Sequence, residues 1–81
     1  MPKNTLPTYA IVELLIRLEK YNDKIGDYKG HASYDTEIIV KTSGGSIIFP
    51  ESIIVRQFES PELITDSELA SIARLFKTTA Q

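Results

Sequence analysis

The side chains that could take part in catalysis are few, and they lie together in the segment YKGHASYD. His31 is the only histidine, and Tyr28, Tyr34 and Asp35 are close to it along the chain. An imidazole can serve as a general base when the fold places an acid or a nucleophile beside it. The cluster of His31, Tyr34 and Asp35 is thus the one candidate for a small enzyme. A histidine in a surface loop is the simpler interpretation, and we predict no catalytic residues and no enzymatic activity.

Metal-binding residues are equally sparse. The chain has no cysteine, which removes thiolate ligands, disulfides and thiol redox chemistry. Glu19, Asp23 and Asp27 recur every four residues and could hold a cation if one helix carried all three. Turn-forming residues interrupt that helix and basic residues alternate with the acids, so a solvated face is the better interpretation. We expect no metal and no cofactor, and no small-molecule substrate is evident.

The double glycine in KTSGGSIIF is compatible with either a phosphate-binding loop or a tight turn. A phosphate loop requires more glycines, a Lys-Ser/Thr pair and a following helix, whereas strand-like residues flank Gly44 and Gly45 on both sides. Two-residue hairpin turns favour residues that can adopt positive φ angles. The pattern therefore predicts a β-hairpin with its turn at Gly44-Gly45.

The basic residues form one short stripe. Arg17, Lys20 and Lys24 could lie on one side of the first helix and contact phosphates. Acidic residues are interleaved with them, and the net charge of −2 is spread evenly: five basic and six acidic side chains in residues 1–40, four and five in residues 41–81. Because nucleic-acid binding depends on clustered Lys and Arg, a nucleic-acid-associated regulator is only the alternative hypothesis.

Length and composition indicate one small globular domain. The chain has 81 residues, 42% of them hydrophobic and 25% charged. A domain of this size buries only about 60% of the surface that its unfolded form exposes, and a second subunit often supplies the missing stability. We predict a single domain over residues 1–81, with a flexible arm at 1–7 and frayed residues at 79–81.

No apolar run approaches the roughly 20 residues that a membrane span requires. Glu13 and Arg17 interrupt the apolar stretch near the N-terminus, and no small-residue cleavage site follows it, so the stretch does not match a signal peptide. We expect a soluble, cytoplasmic protein without a membrane partner. A chain of this size is typical of the small accessory proteins of bacteria and phages.

Helical spacing and strand alternation predict the fold class. Apolar residues recur at three and four positions from Tyr9 to about Tyr21, and Thr65 with Glu68 matches a capping box before a helix at about 66–78. Period-two alternation predicts strands at about 33–42, 46–49 and 52–58, although 46–58 could be one strand bent at Pro50. The prediction is an α+β fold in the order helix-strand-strand-strand-helix, with two helices on one face of a small three-stranded antiparallel sheet.

The apolar residues outnumber the positions that this small core can shelter. Val12 and Ile16 widen the apolar side of the first helix beyond the arc of about 100° that one core contact needs, although burial between the sheet and another helix would also explain them. Ile39 and Ile48 fall on the sheet face away from the helices. We therefore predict a protein interface at Val12, Ile16, Ile39 and Ile48. The predicted function is a non-enzymatic protein-protein interaction module, a small regulator, adaptor or inhibitor that binds another protein and pairs as a homodimer.

Overall fold

The structure is a computed structural model, and it describes residues 7–79. Its elements are α1 (Thr8–Glu19), β1 (Tyr28–Tyr34), β2 (Glu37–Thr42), β3 (Gly45–Pro50), α2 (Glu51–Glu59), a 3-10 turn (Pro61–Leu63), α3 (Asp66–Ala73) and β4 (Lys77–Thr78). The described strands form one antiparallel sheet in the spatial order β1-β2-β3-β4. The α+β class is confirmed, but the sheet has four strands instead of three.

The predicted flexible arm at 1–7 and frayed end at 79–81 lie outside the described residues, apart from Pro7 and Thr79. The Pro7 carbonyl accepts a hydrogen bond from the Ala10 N–H at 3.0 Å, and the Thr79 N–H donates to the Gly44 carbonyl at 2.9 Å. Both of these terminal positions are therefore hydrogen-bonded to the rest of the fold.

The long strand predicted at 33–42 is two strands joined by a turn at Asp35-Thr36. Asp35 adopts a φ of 55°, a left-handed conformation that Asp tolerates better than most residues. Because only two residues form the turn, Tyr34 pairs directly with Glu37. Tyr34 therefore shares a face with Glu37, whereas continuous alternation along a single strand would place it on the same face as Ile38.

The prediction of a strand at 52–58 is wrong, because this segment forms α2. The run of Ile53, Ile54 and Val55 has high strand propensity, but Ile53, Ile54 and Gln57 are buried at helical spacing. Glu51 in the first turn also favours a helix start, because its negative charge lies at the positive end of the helix dipole. Tertiary burial has overridden local propensity here.

A hairpin does join β2 to β3, but its turn is Ser43-Gly44 instead of Gly44-Gly45, because Gly45 already belongs to β3. The two glycines are needed for close backbone contact. Thr42 Oγ1 accepts from the N–H groups of Gly44 and Gly45 at 3.2 and 3.1 Å. A Cβ on Gly44 would lie 1.8 Å from the Lys24 carbonyl oxygen, and one on Gly45 would lie 1.9 Å from that of Lys77. The loop before β1 and the strand β4 therefore press against the hairpin from either side.

The last predicted helix ends earlier than expected. The capping box is present: Thr65 Oγ1 accepts from the Glu68 N–H at 3.1 Å, and the Glu68 carboxylate accepts from the Thr65 N–H at 3.3 Å. After Ala73 the chain turns, Phe76 enters the core, and the next two residues pair with β3 as β4.

Burial divides the sheet into a covered face and an uncovered face. On the covered face, side chains of β2 and β3 are buried, and most belong to the same core as the helical residues: Ile38, Val40, Thr42, Ile47 and Phe49. The helical side of that core includes five residues of α1, namely Ala10, Ile11, Leu14, Leu15 and Leu18. The other face of the sheet is the first candidate for a functional surface.

Candidate functional site

The uncovered face of the sheet, here called the outer face, consists of three rows of side chains that run across the strands. Strand pairing places Tyr34, Glu37 and Pro50 in the first row; Ala32, Ile39 and Ile48 in the middle row; and Gly30, Lys41, Ser46 and Lys77 in the third. The middle row is wholly apolar. A depression of about 410 Å³ lies over this part of the sheet and is also lined by Leu75, which follows α3.

Several large apolar side chains are open to solvent on this face. Ile48 is 44% exposed and Tyr34 is 62% exposed, while Ile39, the cross-strand partner of Ile48, is half-buried. Leu75 at the edge of the depression is 57% exposed. A contiguous apolar patch on a small protein is a common feature of a binding surface.

The charges of the outer face are separated to its two ends. Glu37 lies in the first row, while Lys41 and Lys77 lie in the third. Glu37 and Lys41 are four residues apart on β2, a distance of about 13 Å along a strand. The face therefore has an acidic end, an apolar middle and a basic end.

A second surface lies on the helical side of the molecule. Ile16 projects from α1 with 61% of its surface exposed, and Val12 is half-buried on the same helix. A groove of about 530 Å³ opens beside Ile16, here called the helical groove, and its lining residues are Glu13, Ile16, Arg17, Gln57, Pro61 and Glu62. The four predicted interface residues are thus divided between two surfaces: Ile39 and Ile48 on the outer face, Val12 and Ile16 on α1.

Of the three residues predicted to contact phosphates, Arg17 has its guanidinium engaged within the fold. It donates to Gln57 Oε1 and to the carbonyls of Pro61 and Ile64, the last two at 3.1 and 3.2 Å. Lys20 is exposed, with its Nζ 5.7 Å from the Tyr21 ring. Lys24 lies beyond the end of α1, so it does not continue the helical spacing on which the stripe was predicted. Nucleic-acid binding stays a prediction.

The candidate catalytic cluster is spread over two faces of β1. Tyr28 Oη and His31 Nδ1 are 2.7 Å apart in an exposed hydrogen bond. His31 pairs with Val40 of the covered face, whereas Tyr34 belongs to the outer face and Asp35 lies in the turn. No group of three His, Asp or Glu side chains with the geometry of a metal site occurs within residues 7–79.

One ion pair within the described residues connects α2 to α3. Arg56 binds the carboxylate of Glu68 through both terminal nitrogens, at 3.0 and 2.7 Å. This hydrogen bonding, together with the N–H of Thr65, lowers the pKa of Glu68 below its ordinary value, and the same pair raises the pKa of Arg56. This ion pair stabilises the start of α3. A carboxylate held in its ionised form, as Glu68 is, does not have the features of a catalytic acid.

Sequence reasoning missed three apolar residues on or beside the outer face: Tyr34, Pro50 and Leu75. Tyr34 was missed because the turn at Asp35, which pairs Tyr34 with Glu37, was not recognised. The segment YDTE did carry a signal, since Asp is a common turn residue between strand-like segments. Leu75 could not have been found, because its place beside the sheet depends on the turn that ends α3.

Comparisons of the chain with family models, curated proteins and solved structures found no match in any of the three. Within residues 7–79, none of the helices combines the length and the hydropathy that crossing a bilayer would demand. A functional conclusion therefore has to rest on the two surfaces themselves.

Proposed function

We propose that this chain is a non-enzymatic protein-binding module that pairs with a second copy of itself through the outer face of its sheet. The observation that supports the proposal most directly is the apolar middle row, with Ile39 and Ile48 side by side and nothing over them in the described part of the chain. The broader role, as a small regulator, adaptor or inhibitor, remains a proposal of the same kind.

Self-pairing is favoured because the charges of the outer face complement those of a second copy. In a two-fold dimer, each residue of the patch meets a residue of the same patch on the other copy. A two-fold axis along the middle row would stack Ile39 on Ile39 and Ile48 on Ile48. The same axis would bring Glu37 of each copy over Lys41 of the other. Stacked sheets lie about 10 Å apart, a separation that long charged side chains can bridge.

Charge exchange between Glu37 and Lys41 tests this arrangement. Glu37→Lys should place lysine against lysine across the interface, and Lys41→Glu should place acid against acid, so each single variant should weaken the dimer at least tenfold. The double variant Glu37→Lys, Lys41→Glu restores opposite charges and should dimerise within about threefold of the wild type. Sedimentation equilibrium gives the dimer dissociation constants.

Asp23→Lys is the matched control, because it reverses an exposed charge in the turn after α1 and should leave the dissociation constant unchanged. The proposal is overturned if the double variant stays as weak as the single variants. It is also overturned if Asp23→Lys weakens the dimer as much as Glu37→Lys does, since net charge alone would then explain the result.

A further inference from the structure

The helical groove lies on the seam between α1 and the end of α2, away from the outer face of the sheet. Ile16 and Pro61 provide its apolar surface. Tyr9 and Phe58 lie on the same seam and contact edge to face, with ring centroids 5.9 Å apart. These rings are 58% and 45% exposed, and Ile16 is 61% exposed. Tyr9 and Ile16 are seven residues apart, so both point from the same side of α1, about 10 Å apart.

A hydrogen-bond network fixes the floor of the groove. Gln57 is 4% exposed; its oxygen accepts from Arg17, and its Nε2 donates to Glu13 at 3.5 Å. Arg17 also holds the 3-10 turn through the Pro61 carbonyl. Because these contacts join α1 to both α2 and the turn, the groove is formed before any partner binds.

The surroundings of the groove are acidic. Glu13 and Glu62 line it, and residues 57–73 contain four carboxylates and no basic residue. One of the four, Glu68, is paired with Arg56. Arg17 is the cation in the groove, and its guanidinium already donates to one side-chain oxygen and two carbonyl oxygens. The unpaired charge available to a partner is therefore negative.

We propose that the helical groove binds a basic amphipathic helix of a partner protein. Two apolar side chains spaced seven residues apart on such a helix match the spacing of Tyr9 and Ile16, and flanking Lys or Arg residues complement Glu13 and Glu62. This inference rests on the proposed function only in treating the chain as a protein-binding module. The two surfaces are separate, so a dimer paired through its outer faces would present two grooves.

A designed peptide provides the test. The probe is a fluorescein-labelled helical peptide of Ala, Leu and Lys, with two leucines seven positions apart on one face and lysines beside them. Fluorescence anisotropy should show saturable binding to the wild type that weakens as salt is added. Glu62→Lys should weaken binding about tenfold because it removes one carboxylate and adds a repulsive charge. Ile16→Ser should weaken it by a similar factor by removing the apolar contact.

Two controls make the result specific to the groove. Asp23→Lys changes the net charge as Glu62→Lys does but should leave binding within about twofold, and a peptide of the same composition with its leucines on opposite faces should bind at least tenfold more weakly. Absence of saturable binding at low salt would overturn the inference, as would equal binding of the two peptides or equal loss in the two charge variants. The dimer dissociation constant, measured in the same samples, reports separately on the proposed function.

Discussion

At the residue scale, Arg17 connects parts of the chain that are far apart in sequence. Its guanidinium donates to Gln57 Oε1 and to the carbonyls of Pro61 and Ile64, so α1 is bonded to α2 and to the segment before α3. Glu13 lies four residues before Arg17, a spacing at which opposite charges on a helix can pair. A four-residue spacing is visible in a sequence, whereas a partner 40 residues away is not. In the structure the guanidinium makes the tertiary hydrogen bonds, two of which are part-buried.

Replacing Arg17 should therefore destabilise the fold. Arg17→Met keeps the apolar stem but leaves the buried oxygen of Gln57 without its donor, and we expect the free energy of unfolding to fall by about 2 kcal/mol. Lys20→Met removes an exposed charge at the C-cap of the same helix and should change the free energy of unfolding by less than about 0.5 kcal/mol. Urea denaturation measures the free energy of unfolding of both variants, and an unchanged m-value shows that only stability has changed. Equal, small effects of the two variants would show that the hydrogen bonds of Arg17 contribute little to the free energy of unfolding.

At the element scale, the sequence predicted those elements whose local signals agree with their burial. The spacing of Leu14, Leu15 and Leu18 indicated α1, and the capping box at Thr65 indicated the start of α3. The helix α2 was missed because its β-branched residues favour a strand while their burial requires a helix. The division of β1 from β2 was missed because the turn at Asp35 preserves an apparent alternation.

The ion pair that supports α3 should make its stability depend on pH. Hydrogen bonds from Arg56 and from Thr65 lower the pKa of Glu68 below its ordinary value of 4.5. A carboxyl whose pKa is lower in the folded state stabilises the fold above the unfolded-state value, and that contribution is lost as pH falls through the folded-state value. Glu68→Gln should therefore be less stable than the wild type at pH 7, and the difference should shrink below about pH 4.5.

Urea denaturation of the wild type and Glu68→Gln from pH 7 to pH 3 measures this difference. Arg56→Gln removes the other partner of the same ion pair. The double variant Arg56→Gln, Glu68→Gln should therefore be hardly less stable than either single variant. A stability difference between wild type and Glu68→Gln that stays constant across this pH range would contradict the lowered pKa of Glu68.

At the scale of the whole molecule, two surfaces stay open after the core is complete. The outer face carries Ile39 and Ile48 between charges of opposite sign, and the helical groove carries Ile16 between carboxylates. It could be predicted that the four candidate interface residues lie outside the buried core, because apolar side chains exceed the capacity of one small core. Their division between two surfaces could not, since it depends on how the helices pack on the sheet.

The most direct test of the central claim is the mass of the protein in solution by light scattering at micromolar concentration. The wild type should have twice the chain mass of 9.1 kDa. Ile48→Lys, with unchanged circular dichroism, should have a mass of 9.1 kDa, because a lysine would stand at the centre of the paired outer faces. Leu63→Lys, an equally drastic change at a residue 58% exposed on the 3-10 turn, should keep the doubled mass. A wild type that stays at 9.1 kDa at every concentration would contradict the claim.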